Sequence, residues 1–142
     1  MMRDLASNLS TVALIANATY SADTTPVSVD LSGYNSAAVL ILLGAGGITF
    51  STTNKIEFVL THSDDDVTYT PVTDADIQGV TGTSNGIIQA LIAPAASASV
   101  AEIGYIGARR YLRLLADFSG THGAGTPIGA VVIRSHPYIG PV

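Results

Sequence analysis

The chain of 142 residues contains no cysteine and no tryptophan, and Lys55 is its only lysine. Without cysteine it cannot form disulfides, thiolate zinc sites or a cysteine nucleophile. Charged residues make up only 12% of the chain, with 6 basic and 11 acidic residues, whereas a soluble surface carries about 25–35%. Hydrophobic residues nevertheless make up 47%. We therefore expect a domain that either exposes much neutral polar surface or buries surface against partners in an assembly.

The chain also lacks a long hydrophobic run. The longest candidate, Ala37 to Ile48, is interrupted by three glycines and is shorter than the roughly 18 residues of a membrane span. The first residues are polar where a secretory signal would begin its apolar block, so no membrane association and no export signal are expected. The combination of high hydrophobicity and low charge excludes intrinsic disorder. An acidic chain without a basic block predicts no nucleic-acid partner.

The apolar residues that are present follow the period of β-strands. Val27, Val29 and Leu31 alternate with polar residues, as expected of a half-buried strand. The range Lys55 to His62 alternates in the same way, and Ala38 to Leu43 is a continuous apolar run suited to the centre of a sheet. Turn residues separate such segments every 8 to 15 residues or so, a spacing typical of an antiparallel sandwich or barrel.

We therefore predict an all-β fold, an antiparallel β-sandwich or barrel of about eight short strands. Residues 1–142 form one domain in this interpretation, with an N-terminal arm at 1–10 and a C-terminal tail at 136–142. Two prolines and a glycine predict that this tail is irregular. Two local alternatives are a single helical turn at Thr73 to Asp76, capped by Thr73 or Asp74, and a short helix within the alanine-rich range Ala90 to Glu102.

The acidic and histidine residues do not form a recognisable metal site or catalytic site. Asp64-Asp65-Asp66 lacks the glycine and terminal glutamate of an EF-hand loop, so we interpret it as a turn whose carboxylates bond to their own backbone. His62, His122 and His136 lack the close spacing of zinc ligands, and we expect ordinary surface or interface histidines. No nucleophile elbow or phosphate-binding loop occurs. The sequence thus predicts no enzyme, no metal and no cofactor.

One segment, Arg109-Arg110-Tyr111-Leu112-Arg113, is both basic and aromatic. On a strand, Tyr111 and Arg113 share one face, and Arg110 and Leu112 share the other. Arginine forms bidentate contacts with carboxylates and is enriched at protein interfaces. Three interpretations stay open: ion pairs within the chain, a contact between subunits, and, least favoured, nucleic acid.

Several short motifs follow one another along nearly the whole chain. They are Arg3-Asp4-Leu5, Gly33-Tyr34-Asn35-Ser36, Phe58-Val59-Leu60, Ser63-Asp64-Asp65-Asp66, Asp74-Ala75-Asp76-Ile77-Gln78-Gly79, Ile103-Gly104-Tyr105-Ile106-Gly107, Arg110-Tyr111-Leu112-Arg113-Leu114 and the tail from His136-Pro137 to Pro141-Val142. In this order they resemble a family of small virion proteins of tailed bacteriophages, often encoded beside the major capsid protein. The chain departs from the family at Asn35, where aspartate is common, and at Ala108-Arg109, where a Lys-Arg pair is common.

The resemblance implies a capsid decoration, or cement, protein that is made in the host cytoplasm and binds the outer surface of the phage head. The implied partners are the major capsid protein and further copies of the chain, commonly in a homotrimer. Extended arms suit this role because they can pair with sheet edges of neighbours. The residues we expect to bind partners lie in both ends of the chain and in the basic segment: Arg3, Asp4, Leu5, Arg109, Arg110, Tyr111, Arg113, His136, Pro137 and Tyr138.

Two other functional classes remain open. A head-to-tail connector or tail protein of the same kind of particle would also be β-rich, but it would form rings of six or twelve subunits. A carbohydrate-binding sandwich would present tryptophan or tyrosine platforms, whereas this chain has no tryptophan and its six tyrosines are dispersed along the sequence.

Overall fold

The computed structural model describes residues 1, 4–94 and 96–138. Its elements are a short 3-10 helix followed by ten strands. The helix spans Ala6–Asn8, and the strands are β1 (Leu9–Tyr20), β2 (Val29–Asp30), β3 (Tyr34–Leu43), β4 (Lys55–Ser63), β5 (Thr70–Pro71), β6 (Ile77–Gln78), β7 (Ile87–Leu91), β8 (Ser99–Tyr105), β9 (Tyr111–Ser119) and β10 (Thr126–Pro137).

The strands form two antiparallel sheets that pack face to face. Sheet A has the order β1-β10-β3-β8-β6. Sheet B has the order β2-β9-β4-β5, and β7 pairs with β4 on the same side as β5. The connection between β4 and β7 contributes β5 to sheet B and β6 to sheet A. This connection therefore extends one edge of each sheet.

The strand order defines the fold more closely. With β5 and β6 left out, the other eight strands, counted along the chain, have the order 1-8-3-6 in sheet A and 2-7-4-5 in sheet B. This is the double Greek key of a jelly roll. Every pairing in it joins segments distant in sequence, except β4 with β7, because successive strands cross between the sheets.

The core lies between the two sheets, and strand periodicity decides which residues enter it. In β3, Val39 and Ile41 are fully buried, while Leu40 between them points to the outer side of sheet A. In β4, Phe58 is likewise fully buried. One cluster of buried hydrophobic side chains contains residues of both sheets. Burial of this cluster is the main favourable contribution to folding.

The structure confirms the all-β sandwich, but several sequence expectations are wrong. The sheets do not close into a barrel. In the described part of Ala90 to Glu102 there is no helix, because strands β7 and β8 enter it from either side. At Thr73 the turn is closed by the Asp76 carboxylate, which accepts from the Thr73 backbone N–H at 2.9 Å. Neither Thr73 nor Asp74 acts as a helix cap there.

The two predicted terminal segments are also shorter than expected. Strand β1 already begins at Leu9, within the expected arm. His136 and Pro137 are not irregular but belong to β10, where Pro137 pairs with Tyr34. The backbone bends at His136, which has a φ of 52°. The rest of the tail, from Ile139 to Val142, and Arg3 at the other terminus lie outside the described residues.

Candidate functional site

One end of the sandwich, which we call the arginine end, collects most of the basic residues. It comprises the starts of β3 and β9, the ends of β4, β8 and β10, and the loops beside them. Four of the six basic residues of the chain have their side chains here: Arg109, Arg110, Arg113 and Arg134. Lys55, at the start of β4, pairs with Glu57 instead.

Arg110 forms the best-defined ion pair of this end. Its Nε and Nη2 donate to the two carboxylate oxygens of Asp30 at 2.9 and 2.7 Å. These hydrogen bonds lower the pKa of Asp30 well below its usual range. Arg134 donates from Nη1 to the Asp30 backbone carbonyl at 2.8 Å, and its guanidinium stacks 4.7 Å from the centre of the Tyr34 ring. The two arginines thus hold β2 beside the start of β9 and the end of β10.

Arg113 lies on the outer side of sheet B, where its guanidinium stacks on Tyr69. The distance from its Cζ to the ring centre is 4.0 Å, and its Nη2 lies 3.7 Å from the Asp66 carboxylate. The hydroxyls of Tyr69 and Ser28 both hydrogen-bond to that carboxylate. Tyr111 shares this outer side with Arg113, while Leu112 is fully buried. The predicted division of faces is therefore confirmed for Tyr111, Leu112 and Arg113, but Arg110 precedes the strand and lies over the Tyr111 ring instead of sharing the face of Leu112.

The aspartates beside these arginines stabilise turns. Asp65 accepts from the backbone N–H groups of Thr68 and Val67 at 2.8 and 2.9 Å. These bonds, together with one from the Ser63 hydroxyl, lower the pKa of Asp65 to about 2. The expectation of a turn bonded to its own backbone is confirmed. Among the described residues, no three histidine or acidic side chains converge on a point that could hold a metal ion.

Tyr105, the last residue of β8, organises the loop that carries Arg109. Its hydroxyl is 3.0 Å from His62 Nδ1 and accepts from the Arg109 backbone N–H at 3.2 Å. Burial lowers the pKa of His62 and raises that of Tyr105. Gly107 passes so close to this ring that a Cβ atom there would lie 2.6 Å from the hydroxyl oxygen. The loop therefore follows the shape of the Tyr105 side chain.

Two of the three histidines differ from the expectation of surface or interface residues. His62 and His122 are buried, with 5% and 3% of their surface exposed. His122 packs edge-on against Phe118, and its Nε2 is 2.8 Å from the Ser119 carbonyl oxygen. His136 is exposed, and its Nδ1 is 2.7 Å from the Ser36 hydroxyl. A buried histidine needs hydrogen-bond partners, and the spacing of the histidines in the sequence does not show which residues supply them.

A pocket of about 600 Å³ opens at the arginine end. We call it the end pocket. Its walls come from the β2–β3 loop, the start of β3, the β8–β9 loop and the residue after β10, and they include Tyr34, Asn35, Asp64, Tyr105, Arg109 and Tyr138. The Tyr138 backbone N–H donates to the Gly33 carbonyl at 2.8 Å, which holds the Tyr138 backbone beside the β2–β3 loop. Five of the six tyrosines, dispersed in sequence, belong to the arginine end: Tyr34, Tyr69, Tyr105, Tyr111 and Tyr138.

The structure brings the described residues that we expect to bind partners to this end of the molecule, while Arg3 lies outside the described residues. Arg109, Arg110 and Tyr138 line the end pocket. Asp4 accepts from the hydroxyl of Ser7 and fixes the turn that precedes β1, next to the last residues of β10, while Leu5 is 65% exposed. The arginines of the basic segment pair with Asp64, Asp30 and Asp66, so the interpretation as ion pairs within the chain is confirmed.

A second surface, not located from the sequence, lies on the outer side of sheet A. We call it the apolar face and define it by side chains on four adjacent strands: Ala13, Ala38, Leu40, Leu42, Val100, Val131 and Ile133. Leu42 and Val100 pair across β3 and β8 and are 41% and 59% exposed. Along the paired segments that the structure describes here, Glu102 is the single charged outward residue. The corresponding positions of sheet B include Lys55, Glu57, Arg113 and Asp117.

The apolar face borders a long sheet edge formed by β1. This strand has twelve residues, contains neither charge nor proline, and in the described chain pairs with β10 alone. Its ladder is regular from Leu9 to Ala13 and has register shifts beyond that point. Bulges and charges normally protect a free edge from pairing with other chains. Strand β1 has only the bulges, and these lie beyond Ala13. The stretch from Leu9 to Ala13 is therefore able to accept another strand.

Comparisons with protein-family models, with curated proteins and with solved structures each gave no significant match to this chain. No helix in the described ranges is long and apolar enough to cross a membrane.

Proposed function

We propose that this chain is a structural protein of a tailed-bacteriophage particle, a capsid decoration protein that packs against the major capsid protein and further copies of itself. The apolar face carries this proposal, because it offers a nearly uncharged sheet surface on which the exposed side chains of Leu42 and Val100 lie side by side. The resemblance of the sequence motifs to small virion proteins supplies the kind of particle. Jelly rolls occur in viral capsid proteins but also in lectins and cupins, so the fold alone does not decide the function.

The size of the apolar face favours attachment through more than one element. Four strands spaced by about 4.8 Å and the five positions from Ala38 to Leu42, rising by about 3.3 Å each, cover roughly 300 Å². That is comparable to the largest apolar patch of a typical monomer, yet less than half of the roughly 800 Å² that each partner contributes to a stable interface. The free edge at Leu9 to Ala13 and the exposed Leu5 beside it can supply the remaining contact.

The test is association of the full chain with undecorated shells assembled from the major capsid protein of the same genome. We expect the purified chain to be oligomeric by native mass spectrometry and to cosediment with the shells. Leu42→Asp places a charge beside Val100 on the apolar face and should weaken shell binding or self-association at least about tenfold. Val67→Asp is the matched control, because Val67 is 80% exposed and lies outside the face.

A chain that stays monomeric and does not bind shells would overturn the proposal, as would equal effects of Leu42→Asp and Val67→Asp. Rings of six or twelve subunits would favour a connector or tail protein over a decoration protein. Deletion of residues 1–7 should leave the melting temperature nearly unchanged and weaken shell attachment. Equal binding by the truncated chain would exclude the arm from the interface.

A further inference from the structure

The end pocket has the volume of a small-molecule site. Its volume of about 600 Å³ falls within the range of about 300–1,000 Å³ that is usual for ligand pockets. Tyr105 and Gly107 shape its floor through the close contact described above. Arg110, in the β8–β9 loop, forms a bidentate ion pair with Asp30 at the end of β2. The walls are therefore held in place by interactions that do not depend on a ligand.

The polar groups that face this pocket are both donors and acceptors. Asn35 is exposed at its mouth, and Tyr138 is 66% exposed at its rim, so their amide and hydroxyl groups are accessible to a ligand. Asp64 offers a carboxylate whose side chain is 72% exposed. Together with the hydroxyl of Ser32 these groups provide hydrogen bonds of both kinds around a single opening.

The charges of the pocket balance each other. The Arg110 guanidinium is engaged with Asp30, which leaves Arg109 and Asp64 as the available charged pair. Their nearest atoms are 3.7 Å apart, longer than a hydrogen bond, so each can still bond to a ligand. Since the whole chain also carries a net charge of −5, the site offers no excess of positive charge for an anion.

Aromatic and apolar surface lies beside these groups. Tyr138 and Ile106, which are 66% and 55% exposed, both line the pocket, and Tyr34 forms another part of the wall. A ligand that matches this site needs apolar C–H faces to lie against aromatic rings and a neutral rim of hydroxyls that both donate and accept. Saccharides have this combination.

We infer that the end pocket is a binding site for a neutral saccharide, with the Tyr138 ring as the platform and Asn35, Asp64 and Arg109 as the hydrogen-bonding groups. The site is separate from the apolar face, which lies on the outer side of sheet A, so a shell-bound copy can keep the pocket open. Saccharide binding at this site goes beyond the proposed decoration function and does not depend on that function.

The experiment is saturation-transfer NMR on the full chain, which tolerates an oligomer of any size. The probes are glucose, galactose, N-acetylglucosamine, maltose and cellobiose, with glucuronate, phosphate and sulfate as anionic comparisons. We expect at least one neutral sugar to bind with a Kd of about 1 mM or below. Tyr138→Ala and Asn35→Ala should each weaken that binding about fivefold or more, while Tyr138→Phe retains the platform and most of the binding.

Asn17→Ala is the matched control, because Asn17 is an exposed asparagine on β1 outside the end pocket, and it should leave sugar binding unchanged. The inference is overturned if no neutral sugar binds the folded chain at about 10 mM, if only the anions bind, or if Asn17→Ala and Asn35→Ala have equal effects. Shell binding measured on Asn35→Ala keeps the two proposals apart, because Asn35 is not among the residues expected to bind partners and its loss should leave shell binding unchanged.

Discussion

Removal of the Tyr105 hydroxyl tests whether the β8–β9 loop is held by the contacts described above. In Tyr105→Phe the ring stays in the core, but His62 Nδ1 and the Arg109 backbone N–H lose a partner at 3.0 and 3.2 Å. A hydrogen bond contributes about 0.5–1.5 kcal/mol, and a buried group left without a partner costs about 1–3 kcal/mol. His62 is buried, whereas Arg109 is half-buried and can recover a bond to water.

We therefore expect a loss of about 1–3 kcal/mol in the free energy of unfolding. For a chain of this length that corresponds to a decrease of about 2–10 °C in Tm, measurable by circular dichroism or calorimetry at neutral pH. Tyr20→Phe is the control: the Tyr20 hydroxyl donates to the Ala16 carbonyl at 2.8 Å at an exposed position, so its removal should change stability by less than about 0.5 kcal/mol. Equal shifts for the two variants would refute the reasoning.

Three further predictions concern the core, an aspartate turn and a glycine. Phe58→Ala empties the centre of the core, where the side chain is fully buried, and should cost about 3–5 kcal/mol in chemical denaturation. The pKa of Asp65 is about 2 in the fold and near 3.9 in the unfolded chain. The stabilising contribution of Asp65 is therefore present above about pH 4 and is lost as the pH falls towards 2. Asp65→Asn should flatten the dependence of Tm on pH in that range. Gly86→Ala should lower Tm, because Gly86 has a φ of 77° and an added Cβ would lie 2.5 Å from the Leu60 carbonyl oxygen; an unchanged Tm would contradict this.

Local periodicity was sufficient to identify most of the long strands. The alternation in Lys55 to His62 and the apolar run at Ala38 to Leu43 correspond closely to β4 and the second half of β3. Strand β1 extends beyond its local pattern, since its apolar residues end near Ala16 while the strand continues to Tyr20. The second half of β1 is a strand because it pairs with β10, with two register shifts along the pair. This pairing depends on a distant segment, so no local pattern in β1 encodes it.

The candidate sites were predictable only in part. The basic segment could be recognised as a place for ion pairs, but which aspartates it meets depends on loops far apart in the chain. Arg110 and Asp30 are separated by 80 positions, and the end pocket joins Tyr34, Tyr105 and Tyr138 from three different segments. The apolar face requires knowledge of which strands are neighbours, because a row of single outward residues forms a surface only when β1, β10, β3 and β8 lie side by side.

The scarcity of charge, the absence of cysteine and the period-two patterns are properties of the linear chain, and they are enough to indicate an all-β domain with little charged surface. Each of these depends on composition or on residues two positions apart, which the backbone geometry of a strand converts directly into faces. The jelly-roll order, the burial of His62 and His122, the end pocket and the apolar face were decided by tertiary structure. They arise from contacts between distant segments, where packing and hydrogen bonding choose among many pairings that the local sequence allows equally.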